Sequence, residues 1–239
     1  MAVFDTGPGI VGLYEYKKDL LNYYIDDRYE YYGLYDRKEV SNRIEYLRKF
    51  FKKDKKIYVL EFDAINSFKN IKGAEFGKES LTKNLKNQSV LCLCSHLTKM
   101  ERTLDEFSDT EIDYFEVPLL INACNDQVAE EIVELICNEY FKDFDFSKYS
   151  MIFLASSGLH LRREFFRDYF KRDIFTNVDA VIEDYKYEKE NLIRDYFYVT
   201  GSKMRFYSRA EKYLRDKKVL KDRQLLNVSK INFNNKKSP

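Results

Sequence analysis

The chain has 239 residues, 44% of them apolar, and its 41 basic and 40 acidic side chains leave a net charge of +1. This is enough apolar material for a substantial core and excludes a disordered chain, while the even balance gives no global electrostatic argument for nucleic acid or an anionic membrane. No apolar run approaches the roughly 20 residues that span a bilayer, the N-terminus lacks the basic-then-apolar order of a signal peptide, and the four cysteines show no disulfide framework.

A cytoplasmic, reducing location is therefore expected, with the nucleus as a second and no membrane partner. Ala2-Val3-Phe4 reads as a short strand, followed by a Gly7-Pro8-Gly9 turn expected at the surface. Pro8 removes an amide that a phosphate-binding loop would use. Leu20, Leu21, Tyr24 and Ile25 have helical spacing, as do Val40, Ile44, Leu47 and Phe51, which predicts two amphipathic helices broken near Gly33.

From residue 56 the texture changes. Residues 56–62 read as a strand, 75–86 as a helix, 89–94 as a strand, and 112–117 as a weaker strand ended by Pro118. Residues 126–142 predict a helix opened by Asp126, with Val128, Ile132, Leu135, Ile136 and Tyr140 as its apolar stripe. Met151–Ala155 is an almost wholly apolar strand, and a helix follows at 160–171. Residues 178–199 fit either strands or a helix. In 203–223 nine basic residues face three acids, and Phe206, Ala210, Tyr213 and Leu214 share a helical stripe.

Apolar strands alternating with helices indicate an α/β protein: a three-layer α/β/α fold with a largely parallel sheet, plus N-terminal helices and a C-terminal basic helix. The expected organisation is a strand and helices over 1–55 packed on the core, an α/β core over 56–200, a basic amphipathic helix over 201–226 and a flexible tail over 227–239.

Several constellations bear on chemistry. Cys92, Cys94 and His96 alternate along one strand face, but side chains two apart leave the backbone roughly 7 Å apart, too far for thiolates to share one zinc at about 2.3 Å each. Buried free thiols are the expectation. His96-Leu97-Thr98 and His160-Leu161-Arg162 resemble the paired motifs of two-histidine phosphoesterases, except that Arg162 stands where a hydroxyl is needed. Asp63 and Asp126 resemble the acids of PIN- and NYN-type nucleases, which implies a Mg²⁺-dependent ribonuclease, intact or degenerate. The fourth-strand acid of that pattern is missing at Ser156-Ser157-Gly158. Arg205, Arg209, Lys212, Arg215 and Lys218 on the basic helix offer contacts for RNA, a ribosome or another partner.

IYVLEFDAINSF, SVLCLCSHLTKM, VPLLINACNDQVAEEIVELICNEY and MIFLASSGL, spread over 57–157, resemble in order and spacing the core of proteasome assembly chaperone 1. That resemblance implies a non-enzymatic chaperone without a cofactor. It also implies a paralogous chaperone as heterodimer partner and proteasome α subunits as clients during assembly of the 20S ring. The aromatic-rich composition and the lack of a coherent catalytic set favour a protein-binding module in the same way.

Overall fold

The computed structural model describes residues 2–16, 21–26, 37–51, 54–185, 195–217, 226 and 228–231. β1 (Ala2–Asp5) leads into α1 (Ile10–Tyr16), β2 (Asn22–Ile25), α2 (Arg37–Phe51), β3 (Ile57–Val59), α3 (Ile65–Phe68), β4 (Ala74–Glu75) and α4 (Lys78–Leu85). Next come β5 (Val90–Cys94), α5 (His96–Glu101), β6 (Ile112–Glu116), α6 (Pro118–Asn125) and α7 (Glu130–Phe141). They are followed by β7 (Met151–Leu154), α8 (Ser157–His160), α9 (Arg163–Phe170), β8 (Asp173–Thr176) and α10 (Asn177–Asp184). β9 (Tyr196–Val199), α11 (Lys203–Asp216) and β10 (Val228–Lys230) complete the described elements.

The strands form two sheets, ordered β10-β9-β2-β1-β3-β4 and β6-β5-β7-β8. Every described pairing is parallel. Parallel sheets need cover on both faces, and alternate residues supply it. Val3, Tyr23, Ile25, Tyr58 and Leu60 pack with α1, α10 and α11. Their neighbours Phe4, Tyr24, Ile57 and Val59 join α2, α3 and α4 in a core that also takes Val90, Cys92, Cys94 and Phe153 from the second sheet. The far face of that sheet, Leu91, Leu93, Ile152 and Leu154, is covered by α6, α7 and α9. The expected α/β class and α/β/α layering hold, with the single sheet resolved into two lobes that share their middle core.

In both sheets the strand order reverses at one point. The chain passes from β1 to β2 on one side and returns to β3 on the other; it repeats this with β5, β6 and β7. A reversal leaves a crevice beyond the carboxyl ends of the flanking strands. The two crevices face each other across the lobe junction.

Local expectations fail in identifiable places. Leu21, Tyr24 and Ile25 belong to or border β2 rather than a helix, because Tyr23 stacks on Phe197 at 4.5 Å and Tyr24 on Tyr198 at 5.2 Å across the β2–β9 pairing. Leu20 and Gly33 lie outside the described residues. Gly7-Pro8-Gly9 is buried, not superficial. Asp126 ends α6 instead of opening a helix, and the left-handed Gln127 (φ 52°) turns the chain before α7. On α7 the buried stripe is Val133, Cys137 and Phe141, while Ile132 and Leu135 are exposed. β8 has no counterpart among the expected elements. Residues 228–230, assigned to the tail, pair with β9. No helix of the described residues is long and apolar enough to cross a membrane.

Candidate active site

The crevice is built from residues that immediately follow apolar strands. β1 ends in Asp5 and Thr6; β3 runs through Leu60 into Glu61 and the 3-10 turn Phe62–Ala64, which contains Asp63. β5 is followed by Ser95, β7 by Ala155, Ser156 and Ser157, and β8 by Asn177. All of these polar residues are buried. Thr6 Oγ1 donates to Glu61 Oε2 at 2.9 Å, and the Ser157 and Ser156 hydroxyls reach the same oxygen at 3.2 and 3.5 Å. Ser95 Oγ donates to Asp63 Oδ1 at 2.6 Å, and Thr98 donates to it as well. Glu61 and Asp63 belong to the first lobe and their serine and threonine partners, apart from Thr6, to the second, so these bonds brace the junction. Asn177 Nδ2 adds a third brace, to the carbonyls of Val59 and Leu60 at 3.1 and 2.8 Å.

Asp5 is fully buried, and no well-formed hydrogen bond reaches either carboxylate oxygen. Burial pushes its pKa from 3.8 up to about 7; Ser157 and the amides of Thr6, Ile10 and Gly7 lie close and oppose this. Glu61 is pushed well above the ordinary range by burial, then by the charges of Asp63 and Asp5, against the pull of its hydroxyl partners. Asp63 rises to about 6, again chiefly by burial. Desolvation disfavours a charged carboxylate, so each of these acids holds its proton to a higher pH than a free carboxyl, and Asp5 titrates near neutrality. Two more acceptors, Asn125 Oδ1 and Asn177 Oδ1, are buried without partners. Unsatisfied buried polar atoms are rare and call for a ligand or a functional reason.

Packing is close here, both across the junction and within the second lobe. A Cβ on Gly9 would overlap Ser157, and one on Gly158 would overlap the Asn125 amide. One on Gly12 would lie 2.5 Å from His160 Cδ2. His160 is itself buried and its pKa falls to about 3, first through burial and then through the charges of Arg163 and Lys217, so the ring is neutral. Its Nδ1 lies 2.8 Å from Thr176 Oγ1, which donates its only proton to Asp179 at 2.9 Å. Nδ1 is therefore the protonated nitrogen and Nε2 the bare one.

The residues singled out in the sequence are dispersed. Cys92 and Cys94 are free thiols in the shared apolar core. His96 is half exposed beside Glu116, in a separate network from His160, so the two histidines do not flank a common phosphate site. Asp63 lies in the crevice wall, whereas Asp126 is half exposed and ion-paired with Arg205 and Arg209. Among the described residues no group of three or more His, Cys, Asp or Glu is placed to hold a metal ion. Lys212 donates to the carbonyl of Gln127 and Arg215 bonds Glu211; Lys218 lies outside the described residues. The Arg215 bond stays within the helix, while those of Arg205, Arg209 and Lys212 dock the basic helix on its own protein. Asp5 and Glu61 were not foreseen as site residues, although each is the first acid after an apolar strand.

Among solved structures, the chain is similar to the glutamate racemase isoform RacE1 of Bacillus anthracis, with TM-score 0.77 and 15% identity over 97% of both chains. It is also similar to the glutamate racemase of Thermus thermophilus in complex with β-chloro-D-alanine, with TM-score 0.75 and 14% identity over 97% of this chain and 96% of that one. The glutamate racemase of Francisella tularensis in complex with D-glutamate gives TM-score 0.73 and 15% identity over 96% of both. No protein-family model and no curated protein matches the sequence. These matches overturn the resemblance to proteasome assembly chaperone 1, and with it the expected paralogous and proteasomal partners. The resembling segments cover only 57–157 and carry a strand–helix rhythm common to parallel α/β proteins, whereas the racemase likeness covers 96% of the chain or more. The nuclease and RNA- or ribosome-binding readings fall with it. At these identities the likeness is one of architecture: over nearly its whole length the chain shares its fold with glutamate racemases.

Proposed function

We propose that the crevice is a catalytic site that moves the proton on the α-carbon of a small amino acid, the chemistry of a racemase. The observation that carries this reading is Asp5: a fully buried carboxyl with neither oxygen bonded and a pKa of about 7. A group poised near neutral pH can both take and return a proton. In this reading the α-carbon lies between Asp5 and Glu61. Its C–H bond breaks toward the ionised carboxylate, and the protonated partner returns a proton to the opposite face, so the enzyme ends with the same number of protons. The hydroxyls of Thr6, Ser156 and Ser157 turn to the substrate carboxylate, and the orphaned oxygens of Asn125 and Asn177 accept from its ammonium group. The kinship in fold with proteins named for glutamate racemisation supports the substrate class. Because the polar wall is closed, substrate is admitted when the lobes part, breaking the serine bridges to Glu61 and Asp63. Four buried free thiols fit a reducing, cytoplasmic compartment.

The test is deuterium incorporation at Cα in D₂O, followed by NMR, with loss of the circular dichroism signal, for both hands of glutamate and aspartate. Both hands should exchange, and Asp5→Asn should slow exchange by about 100-fold or more while keeping its far-ultraviolet spectrum. Absence of exchange by the wild-type protein across the amino acids of both hands would sink the proposal.

A further inference from the structure

At the opposite end of the first sheet from Asp5 and Glu61 lies a cavity of about 460 Å³. It opens beside the amino ends of β3 and β4. Among the described residues it is lined by Phe51, Ile57 and Ile71, by Arg48, Lys55 and Lys72, and by one acid, Asp54. Arg48 is paired with Glu45 at 2.8 Å, and Asp54 lies 3.4 Å from both Asn22 Nδ2 and the Tyr24 hydroxyl. Among the described residues Lys55 and Lys72 have no such partner, and both are exposed.

Both lysines stand just before paired strands, Lys55 before β3 and Lys72 before β4. Ile57 pairs with Ala74 in parallel, so the segments that carry Lys55 and Lys72 enter the sheet as neighbours, and both side chains line the cavity. The approach is tight: Ile57 N donates to Gly73 O at 2.8 Å, and a Cβ on Gly73, whose φ is +84°, would collide with the Lys55 carbonyl. The fold thus places two exposed lysines in the wall of one cavity, where the cations of the described lining outnumber its acid.

We infer that this cavity binds a small organic phosphate, its dianionic group between Lys55 and Lys72 and its apolar body against Ile71, Phe51 and Ile57. Two lysine point charges match a phosphate dianion. The cavity volume accommodates a body beyond the phosphate. The site is separate from the crevice and independent of its chemistry.

Isothermal titration calorimetry at low ionic strength tests this with phenyl phosphate, AMP and inorganic phosphate on the full chain. At least one organic phosphate should bind one-to-one and at least tenfold more tightly than inorganic phosphate. Lys55→Met or Lys72→Met should weaken it about tenfold, and the double variant should abolish saturable binding. Both positions are exposed, so the double variant should melt no lower than the wild type in phosphate-free buffer. The inference fails if neither organic phosphate saturates, if the double variant still binds, or if inorganic phosphate binds as well as the organic ones.

Discussion

Replacing Asp5 by asparagine removes a titration that the fold makes unfavourable. The Asp5 carboxyl ionises near its ordinary value of 3.8 in the unfolded chain and at about 7 in the folded one. Between these pH values the folded protein holds a proton that the unfolded chain has released. Stability therefore falls as pH rises through that window, and the full loss remains above it. A tenfold change in proton affinity is ~1.4 kcal/mol, so the span corresponds to a ceiling on the order of 4 kcal/mol. Glu61 and Asp63 titrate in the same direction, and removing the charge of Asp5 eases Glu61, so the expected pH-dependent difference is about 2–4 kcal/mol. The assay is urea unfolding of both proteins at intervals from about pH 4.5 to 8.5, with the difference in unfolding free energy plotted against pH. Any constant effect of the amide, including unbonded N–H groups, cancels in the slope. The variant should gain on the wild type steadily up to about pH 7 and level off beyond it. Two parallel curves would refute the reasoning, because they would mean that Asp5 ionises normally inside the fold.

Two further outcomes test the packing around the site. Gly12→Ala places a methyl group 2.5 Å from His160 Cδ2 and 2.9 Å from Nε2; overpacking of this kind should lower stability by about 1–3 kcal/mol, and an unchanged or raised urea midpoint would show that α1 does not sit this tightly on α8. All four thiols are buried, and burial raises Cys92, Cys124 and Cys137, the last to about 12. The native protein should therefore not react with a chromogenic disulfide reagent over minutes, with all four thiols appearing in denaturant; a thiol titrated rapidly without denaturant would contradict the buried placement.

The alternation of apolar strands with helices was legible because two-sided burial leaves near-continuous apolar runs such as Val90–Cys94 and Met151–Leu154. The stripe of α11 was legible too: Phe206, Ala210, Tyr213 and Leu214 are all buried. β2 was misread since four residues give too little pattern to separate period 2 from 3.6, and its partners in β9 lie more than 170 positions away. Asp126 was misread because a residue that opens one helix in sequence can equally close the one before it. Half of the candidate site was visible. Asp63 was singled out for its place after a strand, but as a metal ligand. In the sequence the Ser156-Ser157 pair shows only the lack of an acid, although its hydroxyls are what reach Glu61. Asp5 carries no distinctive signal in the sequence, because its importance comes from lost hydration, which no local spacing reveals.

The path of the chain through the two sheets has a consequence for biogenesis. Strands β5 to β8 are consecutive, so the second lobe can close as soon as residues up to 176 have left the ribosome. The first lobe is interrupted: β2 meets its outer neighbour only when residues 196–199 emerge. Until then the nascent protein bears a raw aromatic edge at Tyr23 and Tyr24, open to pairing with other chains. Translation stalled between residues 176 and 196 would leave a finished lobe tethered to an adhesive one.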